Sequence, residues 1–344
     1  MEQLRARFEF GKFVFVDETP EGTSFNGRRI RVGSKKEFLV DMQKFIEERL
    51  KTVPIAKGRK AEDFATPEER DLTRAAVGSI TWTAKEGRPD AAAIASLVAS
   101  NLTRLSVQDI RDLNKAIDLL KSRSDLCLRI QPIRPERLGW GVITDASFAN
   151  ASQGKSQGAY AVVAYDVEVL ERGEGRCNLL HWRSGKIQRV ANSTLAAETQ
   201  SMSRGLGELS WTVTVFNELT TLGFDLKQWE KSLQDRRLRA FASDASDEEL
   251  VQGICVVDAK SLFDHLSKET TGVTADKRTG LEMQVIRQTL AETGTRVKWV
   301  PHPQMVVDCL TKRQGNAQPL LDLLDSGILK VTEPNNNYWE LSIE

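Results

Sequence analysis

Hydrophobic and polar positions follow two periods along this chain, and the change of period divides it. From Arg7 to Val32 the period is close to two. FEFGKFVFV alternates aromatic with small or polar residues, Glu21-Gly22 turns the chain, and Asn26-Gly27 is a strong hairpin signal. Short strands are predicted there. From Phe38 to Leu50 the spacing becomes helical, and PIAKGRK after it reads as a linker. Thr66-Pro67-Glu68-Glu69 offers an N-cap, a proline at the first helical position and an acid at the third. That helix should run toward Lys85 and stop at Gly87-Arg88-Pro89. Asp90 is placed to cap an Ala-rich helix, AAAIASLVASNL, and Ser106 with Asp109 to cap a third helix ending near Ser122.

A second pattern starts near Arg134. GWGVITDASF, GAYAVVAYDVEV and CNLLHWRSGK are strand-like, with polar, glycine-containing turns between them, which predicts an antiparallel meander. A long helix is predicted from about Ser193 to Leu222, then a charged insertion over residues 227–250 read as a loop or helix. GICVVD reads as a buried strand, KSLFDHLSK and GLEMQVIRQTLAE as helices, and RVKWVP as a strand. A last helix is predicted to begin around Met305. The order β-β-β-α-β-α-α-β-α gives an α/β domain with a mixed five-stranded sheet.

Composition narrows the chemistry. The 344 residues hold 40% hydrophobic and 28% charged positions, too apolar for a disordered chain, and their length suits about two domains. Forty-eight basic residues balance forty-eight acidic ones, so any nucleic-acid contact has to come from local patches. The four cysteines are widely separated with no CxxC pair, which fits a reducing, intracellular compartment, cytoplasmic or nuclear. With only three histidines, a His-rich metal site is excluded. No apolar run is long enough for a membrane span. Any bound metal should therefore be held by carboxylates.

Four acids sit on apolar elements. Asp145 continues the row Gly141, Ile143 along one face of its strand. Asp258 closes the run Ile254-Cys255-Val256-Val257. Glu198 lies at the edge of the stripe Leu195, Thr199, Met202, Leu206, Leu209, Val213 and Phe216, so it faces the sheet. Asp308 interrupts Met305-Val306-Val307 and Cys309-Leu310. Each acid alone has an ordinary alternative as a cap, a turn acid or half of a buried ion pair. Four together are harder to explain that way, because a buried carboxylate is costly without a cation or hydrogen-bond donors. Clustered carboxylates prefer hard cations such as Mg²⁺ or Mn²⁺, and two such ions can serve phosphodiester cleavage.

The blocks ITDASF, NSTLAAET, VVDAKS and VVDCLTK resemble, in this order, the ribonuclease H domain of copia-type retrotransposon polyproteins. Upstream, AAVGSITWTAKEGRPDAAAIASLVASN and the FGK and NGRRI hairpin resemble the C-terminal part of their reverse transcriptase. The resemblance implies a reverse-transcriptase remnant over 1–125, a ribonuclease H-like domain over 136–317 and a C-terminal tail over 318–344. It places the metal-binding, catalytic carboxylates on Asp145, Glu198, Asp258 and Asp308, the acids that the hydrophobic pattern selects. It implies two Mg²⁺ or Mn²⁺ ions, an RNA/DNA hybrid as substrate, and other polyprotein domains as partners, with no membrane association. No Asp-Asp dipeptide occurs in the chain, so polymerase activity is not expected. Ala259 stands where the family usually has Asn, and Gly280-Leu281 where it has His; Glu282 keeps an acid nearby.

The expected contacts to the hybrid backbone are Arg183, Lys186, Lys260, Lys277 and Arg278, with Arg189 beside them. Arg28, Arg29, Arg31, Lys35 and Lys36 form a further basic run, either a solvated face or a phosphate patch. His302, flanked by prolines six residues before Asp308, reads as a structural loop residue in preference to a proton-transfer group, and His181-Trp182 as sheet packing. Two other readings compete with the hydrolase. One is a catalytically inactive, nucleic-acid-binding transposon remnant. The other is a strand-transfer enzyme, disfavoured because no zinc-binding His/Cys module exists.

Overall fold

The computed structural model describes residues 14–241, 253–267 and 276–331. Most of the FEFGKFVFV alternation and the end of the 227–250 insertion lie outside them. Over the described residues the chain is a mixed α/β protein with two sheets.

The predicted hairpin forms from β1 (Thr23–Phe25) and β2 (Arg28–Val32), with Asn26 and Gly27 both at positive φ as the turn requires. It grows into a four-stranded antiparallel sheet by adding β3 (Phe38–Asp41) and β4 (Cys127–Ile130). Here the expected helix over Phe38–Leu50 is corrected. Its first four residues pair as a strand, and only Gln43–Arg49 (α1) is helical. The basic run is also largely spent internally: Arg28 pairs with Glu86 at 3.2 Å, and Arg29 and Arg31 reach Asp41 at 3.0 and 3.7 Å.

Next come α2 (Pro67–Glu86), α3 (Ala92–Asn101) and α4 (Val107–Ser122). Complete capping boxes at Thr66/Glu69 and Ser106/Asp109 start α2 and α4 where the sequence indicates. Asp90 caps nothing. It receives Arg88 Nε at 3.0 Å and Nη2 at 2.8 Å, while Arg88 Nη1 donates to Arg123 O at 2.6 Å. Arg88 is fully buried, so this fork joins two helix ends inside the bundle core of Ile80, Ile94, Ile110 and Ile117.

The second sheet begins with the predicted meander: β5 (Leu138–Ser147), β6 (Gln157–Asp166) and β7 (Glu174–Lys186), with the short α5 (Glu168–Arg172) between the last two. The long α6 (Thr194–Thr220) follows, then α7 (Leu226–Phe241), β8 (Gly253–Val257), α8 (Lys260–Ser267), α9 (Lys277–Thr293) and β9 (Thr295–Trp299). Strands β5, β8 and β9 run parallel, and β5, β6 and β7 antiparallel. The predicted helix at Met305 is two separate 3-10 turns, His302–Gln304 and Asp308–Leu310.

Of the stretch expected as a tail, the described residues 318–331 add a helix and an edge strand. α10 (Gln318–Ser326) ends at Gly327 with φ 70°, and β10 (Ile328–Lys330) pairs antiparallel with β7. The sheet therefore has six strands, in the order β10-β7-β6-β5-β8-β9, where five were expected. Leu320, Leu323, Leu324 and Leu329 are buried and explain why this stretch docks.

One face of this sheet packs on α6, α8 and α9 through Val142, Tyr160, Val162, Met202, Leu206 and Ile286. The other face buries Ile143, Ala161 and Val163 against Met305, Leu310 and α10. Among the described residues no helix is long and apolar enough to cross a membrane. Gly205 lets α6 approach the sheet, since a Cβ there would lie 2.7 Å from Thr144 Cγ2 and 3.1 Å from Val142 Cγ2. Gly205→Val should therefore lower the unfolding free energy by about 1–3 kcal/mol in urea titrations, through overpacking at this seam. An unchanged midpoint would show that the seam has room.

Candidate functional site

Because β5 and β8 are parallel neighbours, their C-terminal ends meet at one edge. Asp145 stands near the end of β5, and Asp258 directly follows β8. The first turns of α6 cross this edge and deliver Glu198, whose residue is 4% exposed. One oxygen from each of Asp145, Glu198 and Asp258 can be chosen so that all three lie within 4.8 Å of one another. Three of the four sequence-selected acids therefore form one buried cluster.

Crowding and burial disturb these groups. Burial is the largest influence on Asp145 and, with the Asp258 charge, raises its pKa to about 6 despite a 2.5 Å hydrogen bond donated by the Thr311 hydroxyl. Glu198 is pushed well above the usual carboxylate range, first by burial and then by Asp145 and Asp258. Glu198 Oε2 is buried and, among the described residues, meets no hydrogen-bond donor. An unsatisfied carboxylate oxygen in an all-oxygen donor set is what a hard divalent cation requires, and Mg²⁺ or Mn²⁺ fits it better than a soft metal.

Asp308 is buried beside this cluster and adds no oxygen to it. Its Oδ1 contacts the Lys312 ammonium and lies 3.6 Å from His302 Nε2, and its Oδ2 accepts the Asn316 N–H at 2.6 Å. His302 Nδ1 meets Asp258 Oδ2 at 2.7 Å, so the imidazole bridges two of the four acids. From sequence His302 reads as a structural loop residue; the structure sets its imidazole beside Asp258 and Asp308. Pro301 precedes and Pro303 lies within the 3-10 turn that carries it, and the His302 side chain stays half exposed. Lys312 and Thr311 close the VVDCLTK block that carries Asp308, in which only the acid reads as a site residue from sequence.

The expected nucleic-acid contacts separate into groups. Arg183 and Lys186 on β7 line a cavity of about 160 Å³ together with Arg189 and Arg204. Ser201 forms part of its wall and donates to the backbone Asp145 O and Ala159 O, both at 2.9 Å, so the basic groove adjoins the strand that carries Asp145. Lys260 is engaged elsewhere: it pairs with Asp264 at 3.1 Å and lies over the rings of Phe263 and Trp299. Lys277 and Arg278 occupy the exposed first turn of α9. Glu282 stays apart from the cluster, accepting from Ser203 at 2.5 Å and pairing with Arg189 at 2.8 Å. His181 stacks near Tyr160, and Trp182 Nε1 donates to Ala84 O at 2.7 Å, tying the sheet to the helical bundle.

The raised Asp145 pKa has a defined consequence for stability. Between the ordinary carboxylate value of 3.8 and about 6, the native state keeps a proton that the unfolded chain releases. Chelator-treated protein should thus lose stability as pH rises through that interval, by up to about 3 kcal/mol from this group. Asp145→Asn should flatten that part of the profile. At pH 7, added Mn²⁺ should raise the melting midpoint, and the increment should fade toward pH 5. Metal-free profiles of wild type and Asp145→Asn that run parallel from pH 4 to pH 6 would contradict the assignment. No model of a known protein family matches the chain and no curated protein matches it in sequence, so its activity has to be read from these side chains.

Proposed function

We propose that this protein is a divalent-cation-dependent hydrolase that cleaves the RNA strand of RNA/DNA hybrids, a ribonuclease H-like domain carried with the end of a copia-type reverse transcriptase. The observation that carries this reading is the convergence of Asp145, Glu198 and Asp258 on one point, with Glu198 Oε2 buried and unsatisfied. Further support comes from the sheet itself. A β5-β6-β7 meander followed by a helix and two parallel strands is the element order that the sequence resemblance implies. Mg²⁺ or Mn²⁺ on the three carboxylates would supply Lewis-acid activation of water and charge neutralisation at the phosphate.

The chain's own groups would do the rest. Water adds to phosphorus, the bond from phosphorus to the 3′-oxygen breaks, and the products are a 5′-phosphate and a 3′-hydroxyl. His302, exposed on its outer side and held between Asp258 and Asp308, is placed to carry a proton to or from solvent. Arg183 and Lys186, with Arg189 and Arg204, would hold the backbone of a hybrid by charge and shape without reading bases.

The inactive-remnant reading keeps one observation in its favour: Asp308 is committed to Lys312, His302 and Asn316. Cleavage separates the two. A labelled RNA/DNA hybrid should be cut with Mg²⁺ and left intact with a chelator. Asp145→Asn and Glu198→Gln should each slow cleavage by about 100-fold or more, since even indirect supports of a metal site cost 10–100-fold. A wild-type protein that leaves the hybrid uncut at high concentration supports the remnant instead. For binding, Arg183→Ala and Lys186→Ala should each reduce the slope of log affinity against log salt by about one.

A further inference from the structure

Lys312 is fixed from both sides. Thr311 before it donates to Asp145 Oδ2, and Arg313 after it pairs with Asp109 and, at 2.7 Å, with Asp112 on α4. The backbone between them cannot shift without breaking a contact to the acid cluster or to the helical bundle. Lys312 therefore holds its ammonium on Asp308 Oδ1, while Glu198 Oε2 is left without a donor among the described residues. The other oxygen of Asp308 accepts the Asn316 N–H, so both carboxylate oxygens are engaged.

We propose that the site takes a single divalent ion, on Asp145, Glu198 and Asp258, and that the Lys312 ammonium, docked on Asp308, stands as its second positive centre. This departs from the two-ion arrangement expected from sequence and rests on the reading of the site as a metal-dependent phosphodiesterase. A second divalent ion on Asp308 would compete with Lys312 for Oδ1, because the ammonium already there repels it. An ammonium offers three donors and a compact charge, which suits it to non-bridging phosphate oxygens. It cannot activate water as a metal does, so the division of labour is unequal: the ion acts on the nucleophile, and Lys312 on the charge of the phosphate.

The test is an Mn²⁺ titration of the full chain, without nucleic acid, with free Mn²⁺ read by electron paramagnetic resonance. The wild type should bind one ion per chain. Lys312→Gln frees Asp308 and should bind two, Lys312→Arg should return to one, and adding Asp308→Asn to Lys312→Gln should also return to one. Two ions on the wild type overturn the proposal and leave the hydrolase reading standing. One ion on Lys312→Gln also overturns it, because Lys312 is then not what excludes the second. No ion on the wild type removes both this proposal and the metal-dependent reading. Lys312 is more than one-third exposed, so these substitutions leave the core intact.

Discussion

Like charges forced together at a sheet edge are the constraint around which the rest of this structure is arranged. Asp145, Glu198 and Asp258 would each be solvated elsewhere, and here burial raises the pKa values of the first two. Nothing in the apolar core around them needs carboxylates. Val142, Met202, Leu206 and Val257 would pack as well against apolar neighbours at those positions. The surroundings compensate for the charge only in part. Thr311 serves Asp145, while Asn316, Lys312 and His302 serve Asp308. Glu198 Oε2 is left over, and the fold accepts that cost at one atom.

That compensation depends on a segment which the second sheet alone would not hold. Residues 308–316 are short turns with little backbone hydrogen bonding of their own, and they are held by contacts from several directions. Ser184 Oγ donates to Leu310 O at 2.5 Å, and Asn150 Nδ2 to Thr311 O at 2.6 Å. From the helical bundle, Asp109 and Asp112 grip Arg313. Asp109 is also the N3 residue of the α4 capping box, so one carboxylate both starts a helix and anchors the loop. Gln157 joins the same seam, donating to Ser96 Oγ at 2.9 Å. The helical region therefore acts as a buttress for the acid cluster more than as an appendage.

What could be read from sequence follows from the range of each interaction. Caps at Thr66 and Ser106, the Asn26-Gly27 turn and the meander are local, and they are where expected. The four acids were legible because each broke an apolar row, an anomaly that needs no knowledge of partners. Long-range pairing was not legible. Phe38–Asp41 has helical spacing, yet its neighbours β2 and β4 claim it as a strand, and β4 arrives from nearly ninety residues away. Ile328–Lys330 is too short to signal a strand until β7 presents an edge. The His302 contact is illegible for the same reason, since it meets Asp258 from 44 residues away, whereas Lys312 meets Asp308 within one helical turn of sequence.

The position of the basic groove gives the acid cluster a second meaning. Ser201 lines the groove and donates to the backbone of Asp145, one helical turn beyond Glu198, so the positive wall and the buried acids are held by the same stretch of α6. A polyanion lying along Arg183, Lys186 and Arg204 would bring its phosphates toward three carboxylates. Repulsion would oppose the arrangement until a cation neutralises them. Burial raises the pKa values of Asp145 and Glu198, so protons and a cation compete for the same oxygens. Each ligand removes part of the other's penalty, and linkage makes that coupling reciprocal. On the proposed reading, a chain of zero net charge would bind a polyanion conditionally, because opposite charges that cancel in its composition lie near one another in its fold.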